Sequence, residues 1–411
     1  MKLLGLAIAL IVAIIGIVSP NQSANDIVFV LSGDTDGYLS PCGCTKPMTG
    51  GIRRRATAVR QLTKGHKAVI LENGGLLGGL SKQDVLKAES LAESLRSIGV
   101  TAVNISESEV GLGGEFVSSL SRLSGGTLIS SNSPNMDGVK QFVKSPPFLI
   151  GSLSILEDPK AMSNDTAVNL LTETAKKSKL KPVLMIQNGL DEAKRLANKF
   201  PTLCLIQYSS RGEANKAAIV VGSTLLVSTG DHAKEIVRLV YRNGAFSGYT
   251  VVNLGPQYAD DPDVSRLYLR YLGRVDSYGL LADVVREPSN KFAGSASCTK
   301  CHTEAARVWK NSKHAGALAT LEADGHGKDP ECVSCHVVGL NFETGYYSRD
   351  KTPNLANVGC ESCHGPSADH VKMPMSSPKP KLDKNVCMNC HNPGHDPGFN
   401  FVEKWARIAH R

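Results

Sequence analysis

At 411 residues, 41% of them hydrophobic and 20% charged, the chain is too long for one small domain and has the composition of a soluble globular protein of two or three domains. No internal run is long enough to span a bilayer, which excludes a protein that threads a membrane repeatedly. The formal charge of +8 would by itself suggest an anionic partner, and whether it does depends on what the eleven cysteines hold.

Lys2 precedes an unbroken apolar stretch at residues 3–18, followed by polar, turn-prone residues 19–24. That layout reads as a secretory signal peptide over residues 1–24 and predicts a periplasmic or otherwise extracytoplasmic protein. Gln22 is not the small residue expected at the third position before a cut after Ala24, so an uncleaved N-terminal anchor is the alternative. Only in that case would the protein be held at a membrane.

Over residues 25–256, strand-like runs at 27–31, 68–71, 101–105, 182–186 and 217–221 alternate with helical stretches at 85–97 and 192–199, which predicts an α/β domain. Residues 257–292 read as a helical connector, with Arg266, Leu267, Leu269 and Leu272 at helical intervals. Pro41-Cys42-Gly43-Cys44 sets two thiols one residue apart, able to bind a soft metal, to act as a redox pair, or simply to pair or pack. Cys204 lies in an apolar run and reads as a core thiol. His66 and His232 lack evident partners and read as surface or structural residues.

The last third is different. Cys-x-x-Cys-His occurs four times, as Cys298/Cys301/His302, Cys332/Cys335/His336, Cys360/Cys363/His364 and Cys387/Cys390/His391. In a c-type haem site the two sulfurs form thioethers to the porphyrin and the adjacent imidazole binds iron. A zinc ribbon would use thiolates alone and has no need of a histidine after every pair. The spacing therefore predicts four covalent haems c. Nine of the eleven histidines and both tryptophans lie beyond residue 292, so residues 293–411 read as a haem domain of short helices and loops. Residues 354–355 and 373–380 read as loops there, and 305–310 as helix. The first cysteines are 34, 28 and 27 residues apart, an array of binding units and not a structural repeat. Four haems bring propionates worth roughly −8, with roughly +4 returned by ferric cores, so the basic balance does not imply nucleic-acid binding.

Two resemblances add to this reading. The segments 32–39 (Ser-Gly-Asp-Thr-Asp-Gly-Tyr-Leu) and 50–57 (Gly-Gly-Ile-Arg-Arg-Arg-Ala-Thr), then 71–75 and 106–109, resemble the calcineurin-like metallophosphoesterases, particularly the periplasmic 5′-nucleotidase branch. The resemblance covers about residues 26–256 and implies an α/β metallophosphoesterase-like sandwich ahead of the mostly helical, loop-rich tetrahaem cytochrome c domain. Two-metal hydrolysis needs a bridging carboxylate and several histidines. Here Asp34 is kept, but Asp36 stands at the first histidine position, Gly75 at the bridging aspartate, Ser108 at the next histidine, and Tyr208-Ser209-Ser210-Arg211 where Gly-His-x-His is expected. The departures imply a non-catalytic docking scaffold, with a remodelled site on Asp34, Asp36, Glu107 and Glu109 as the alternative.

Trp309-Lys310-Asn311-Ser312-Lys313-His314-Ala315 resembles the Trp-x-x-Ser-x-His-Ala pattern of multihaem cytochromes. The block at 359–366 followed by His370, and the ending from Pro397 through Phe399 and Trp405 to His410, are similar to the tetrahaem cytochromes that accept electrons from hydroxylamine oxidoreductase. That resemblance implies His314, His370 and His410 as distal iron ligands beside the proximal His302, His336, His364 and His391. His326 and His395 sit in loops and are expected to face solvent, and Met373, Met375 and Met388 are minor alternatives as ligands. One iron, at His336, is then left open as in the family. The expected function is electron transfer, with redox proteins or a quinol-linked oxidoreductase as partners. The alternative is a haem enzyme reducing a small nitrogen oxide (nitric oxide, hydroxylamine or nitrite), with His326, Asp329 or Glu331 at hand as proton donors. A third possibility is a binding module whose phosphoesterase-like part recognises a partner.

Overall fold

A computed structural model of the chain describes residues 26–41, 48–133, 135–155, 160–375, 382, 385–392, 395–396 and 398–410. The expected signal segment and the Cys42 and Cys44 pair lie outside the described residues. No helix among the described residues is long and apolar enough to cross a membrane.

The chain begins with β1 (Ile27–Ser32), α1 (Ile52–Thr63), β2 (Lys67–Glu72), α2 (Lys82–Ile98), β3 (Ala102–Asn104), α3 (Glu107–Gly111), α4 (Gly114–Leu123) and β4 (Leu128–Ile129). It continues through β5 (Val143–Ser145), β6 (Phe148–Leu153), α5 (Asn164–Lys177), β7 (Lys181–Ile186), α6 (Leu190–Lys199), β8 (Leu205–Tyr208), β9 (Ile219–Val221) and β10 (Thr224–Val227). The hairpin β11 (Glu235–Arg242) and β12 (Ala245–Asn253) returns to the first sheet, and α7 (Pro262–Ser277) follows.

Two six-stranded sheets result, ordered β12-β11-β1-β2-β3-β4 and β5-β6-β7-β8-β10-β9. Parallel neighbours such as β1 and β2 are joined through a helix, as parallel pairing requires. Successive strand residues point to opposite faces, so β1, apolar throughout, must be covered on both sides. Its Phe29 and Leu31 meet Phe148, Ile150, Val183 and Met185 of the second sheet. Its Val28 and Val30 meet a helical layer that includes Ile52, Leu91 and Leu120. On the far side Leu149, Leu184 and Ile206 meet Val168, Leu171 and Leu196 of α5 and α6. The architecture is a helix, sheet, sheet, helix sandwich.

The helices carry local reasons for their ends. Ser81 and Asp84 form a reciprocal capping box at the start of α2, and Gly99, at φ 84°, closes it in the left-handed conformation. Asp261 caps α7, with Pro262 at its first position. The stretch read as a connector divides in two: Val264, Tyr268, Tyr271 and Val275 of α7 join the core of the sandwich, and Leu281 joins a small cluster with Leu318, Val333, Val337 and Tyr346.

Beyond that cluster the chain runs through short helices, among them Thr303–Lys310, Ala317–Ala323, Pro330–His336, Cys360–His364 and Phe401–Trp405. One side chain is exceptional for a sandwich core. Arg55, with its side chain 2% exposed, meets the fully buried Glu72 at 2.6 Å. Ser32 Oγ and Thr35 Oγ1 also donate to Glu72, at 2.8 and 3.1 Å.

Candidate functional site

The ends of β1 and β2 are where the phosphoesterase resemblance places its metals. Asp34 is there, its Oδ1 accepting from Ser209 Oγ at 2.7 Å. Burial, with Asp36 and Glu72 nearby, pushes the Asp34 carboxyl up to about 7 against the hydrogen bonds from Ser209 and Ser210. Gly75 closes the bridging position: a Cβ there would meet Asp36 N at 2.9 Å and Thr35 N at 3.0 Å, and φ is +76°. Neutral amides and hydroxyls fill the adjoining strand ends. Asn104 Nδ2 donates to Asn73 Oδ1 at 3.1 Å, Asn73 Nδ2 to Ser209 Oγ at 3.2 Å, and Ser154 Oγ to Asn104 Oδ1 at 3.2 Å.

The alternative carboxylate site is not assembled. Glu107 and Ser108 are exposed, and Glu109 is buried at the start of α3, accepting from Ser106 N at 2.6 Å and Leu77 N at 2.9 Å. The sequence reading missed His232. Its Nε2 lies 3.8 Å from Asp36 and its Nδ1 3.6 Å from Asp231, while its ring lies tilted against Tyr38, with centroids 4.1 Å apart. No spacing signal could reveal this, because His232 arrives from the distant β10 to β11 connection. Cys204 donates to Pro182 O at 3.2 Å, and burial pushes its thiol up to about 12.

In the C-terminal segment each Cys-x-x-Cys-His lies on a turn of helix, because residues i, i+3 and i+4 share one helical face. His302 N and His391 N donate back to Cys298 O and Cys387 O at 3.0 and 2.9 Å, closing that turn in the first and fourth motifs. The motifs associate in pairs, with the Cys298 and Cys360 thiols in hydrogen-bond contact and likewise those of Cys335 and Cys390. Glu361, 2% exposed, ties the third motif to the start of the first by accepting from Ala293 N, Gly294 N and Ser367 N at 2.9, 2.7 and 2.7 Å.

Three proximal histidines each face one of the candidate distal histidines. Ring centroids are 6.2 Å apart for His302 and His370, 6.2 Å for His314 and His391, and 5.9 Å for His364 and His410. An ion held at about 2 Å by one nitrogen of each ring sets two imidazole centres roughly 6 Å apart, so each gap fits one iron. The outward nitrogens are engaged where such a ligand needs them to be. His391 Nδ1 is 2.8 Å from Asp396 Oδ2, and His410 Nδ1 is 2.9 Å from Ile408 O.

The turn carrying His314 is pinned by Trp309 Nε1 donating to Val358 O at 2.8 Å and Val358 N to His314 O at 3.2 Å. Burial, with His391 and His336 nearby, holds the His314 imidazole below its ordinary range, which favours the uncharged ring that a metal needs. His336 Nδ1 is 2.8 Å from Ala317 O, and among the described residues no imidazole is paired with it ring to ring as in the other three motifs.

His395 is exposed, but His326 is not: its side chain is only 18% accessible, covered by Tyr268 from α7. The expectation that His326 faces solvent fails because it lies between two parts of the fold that the sequence could not juxtapose. His326, Asp329 and Cys332 bring ligand-type atoms within 4.8 Å of one another, but Cys332 belongs to the second Cys-x-x-Cys-His.

Residues 297–365 match the family Cytochrome c554 and c-prime. The chain is also 36% identical over 100 residues to cytochrome c-554 of Nitrosomonas europaea, an overlap of 20% of this chain and 43% of that protein. It therefore spans under half the length of this curated relative. The C-terminal segment is thus of the c-type cytochrome kind, which binds haem covalently.

The sandwich is similar in fold to the sulfate thiohydrolase SoxB of Thermus thermophilus, with TM-score 0.51, 15% identity and coverage of 62% of this chain and 61% of that one. A 5′-nucleotidase precursor, also from Thermus thermophilus, gives TM-score 0.51 and 15% identity over 73% of this chain and 68% of that one. The N-terminal part shares its fold with these two proteins, as the resemblance implied.

Proposed function

We propose that this chain is an exported electron-transfer protein carrying four covalent haems c, with the metallophosphoesterase-like sandwich as a non-catalytic docking scaffold. The three facing imidazole pairs, with ring centres 5.9–6.2 Å apart, are the observation that carries the reading. In it Cys298 and Cys301, Cys332 and Cys335, Cys360 and Cys363, and Cys387 and Cys390 attach the groups. The pairs His302 and His370, His364 and His410, and His391 and His314 are the axial ligands, and His336 serves alone. Bound haem supplies an iron that cycles between two oxidation states, and two imidazoles hold such an iron in one geometry through both.

The contacts between the first and third motifs and between the second and fourth favour cofactors packed closely enough to exchange electrons. Periplasmic or other extracytoplasmic placement follows from the N-terminal segment, and the partners are redox proteins or a quinol-linked oxidoreductase. The lack of a facing imidazole pair at His336 among the described residues favours a second reading, reduction of a small nitrogen oxide at that motif.

Two expected outcomes follow. Asp396 has its side chain 3% exposed and lies against His391 Nδ1. A carboxylate there strengthens the imidazole as a donor and favours the oxidised metal. Asp396→Asn is expected to raise the reduction potential of one haem and leave the others in place, as read by optical redox titration. Gly75→Asp restores the bridging residue of the phosphoesterase pattern, but the crowding by Asp36 and Thr35 and the left-handed backbone oppose it. The expected result is a lower thermal midpoint and no divalent-metal-dependent phosphodiesterase activity.

The function itself is tested by intact mass and a reductive titration of the mature protein. Four attached haems, each reducible and reoxidised by a one-electron protein acceptor, support it. Fewer haems, or reduced haems that pass electrons to no protein acceptor, contradict it.

A further inference from the structure

We propose that Tyr268 and His326 form a proton relay from the sandwich to the second Cys-x-x-Cys-His motif, so that reduction at that motif draws a proton onto His326. The inference rests on the reading that Cys332, Cys335 and His336 hold a haem.

His326 sits in the loop between the helices Ala317–Ala323 and Pro330–His336. Its Nδ1 is 3.8 Å from Cys332 Sγ and 3.5 Å from Asp329 Oδ2, and its Nε2 is 3.1 Å from Tyr268 Oη. Tyr268 belongs to α7, and its hydroxyl accepts from Ser40 Oγ on the loop that follows β1. Asp329 is buried and caps the second motif's helix, its Oδ1 accepting from Glu331 N at 3.1 Å and from Gln83 Nε2 of α2 at 2.7 Å. A hydrogen-bonded chain thus runs from half-buried Ser40 through Tyr268 and His326 to Asp329 and the second motif, and two of its links come from the sandwich.

The charges around His326 favour a proton there when negative charge arrives. Asp329 is the carboxylate beside it, and Cys332 lies on the same helix as His336. The nearby cations have carboxylate partners of their own: Arg53, whose guanidinium lies 4.5 Å above the Tyr268 ring, pairs with Asp260, and Lys87 of α2 pairs with Glu331 and Asp84. An electron added at the motif stabilises a cationic imidazole by direct attraction.

The step balances simply. One electron enters from an external one-electron donor. The Tyr268 O–H gives its proton to His326 Nε2, Tyr268 takes one from Ser40 Oγ, and Ser40 is recharged from water. The imidazolium then donates Nε2–H to Tyr268 and Nδ1–H towards Asp329.

The test is spectroelectrochemistry on the full-length haem-loaded protein, with small-molecule mediators, across the range in which histidine titrates. In the wild type the reduction equilibrium constant of one haem is expected to fall by up to about tenfold per pH unit. His326→Gln removes that dependence with the haem number by mass unchanged. Tyr268→Phe keeps the dependence and slows, by about tenfold, the proton uptake that an indicator dye reports after rapid reduction.

Fully loaded His326→Gln with the wild-type pH slope, or a wild type whose haem at the second motif is insensitive to pH, overturns the relay alone. Peptide mapping that finds no haem on Cys332 and Cys335 overturns the underlying reading, and the relay with it.

Discussion

His314→Ala is expected to convert one low-spin iron into a high-spin one. The imidazole faces His391 at 6.2 Å between ring centres, and the backbone that carries it is pinned through Trp309 and Val358. On the proposed assignment, removing the ring takes the sixth ligand from that iron. Electron paramagnetic resonance on the ferric protein should show the high-spin fraction rising by about one iron in four, with the absorbance band of the oxidised protein shifting to match. His395→Ala is the control: that side chain is exposed, and its loss should leave the spin count unchanged. Equal spectra for His314→Ala and the wild type would remove His314 from the ligand set.

The second large effect belongs to the sandwich. Arg55→Met leaves Glu72 fully buried with two hydroxyl donors and no cation. Breaking a buried pair from one side typically costs about 3–5 kcal/mol, a large part of the stability of a single domain. The expected result is a large fall in the urea midpoint. In Arg55→Met/Glu72→Gln most of that loss should return, because the uncompensated charge is gone. If the single and double variants unfold at the same midpoint, the effect comes from lost packing of the arginine and not from the stranded carboxylate.

Arg55 and Glu72 also show how far the sequence could be read. The apolar run of β1, the helix α2 and the helix Thr303–Lys310 are local in origin, and residues 27–31, 85–97 and 305–310 disclose them. The pairing of His314 with His391, His370 with His302 and His410 with His364 is not local. A family motif can nominate the distal histidines, but only the folded chain says which proximal ring each one meets.

Contacts between distant segments were invisible altogether. Glu361 is legible as part of a motif, yet its three backbone donors come from residues 293, 294 and 367. His326 looks like a loop histidine until α7 covers it with Tyr268. His232 has no partner in sequence and gains Asp36 and Tyr38 only when the hairpin β11 and β12 closes onto β1. The departures from the phosphoesterase pattern are legible by substitution, but the reason Gly75 resists a side chain is the backbone of Thr35 and Asp36, a feature of the turn and not of composition.

The most direct measurement is electron paramagnetic resonance on the ferric protein as isolated, repeated on the reduced protein with nitric oxide. Three low-spin irons and one high-spin iron, with the high-spin signal altered and the low-spin count unchanged in His336→Ala, are what this ligand assignment predicts. A spectrum in which most irons are high-spin, or in which nitric oxide binds at several sites, would contradict the paired-histidine electron conduit.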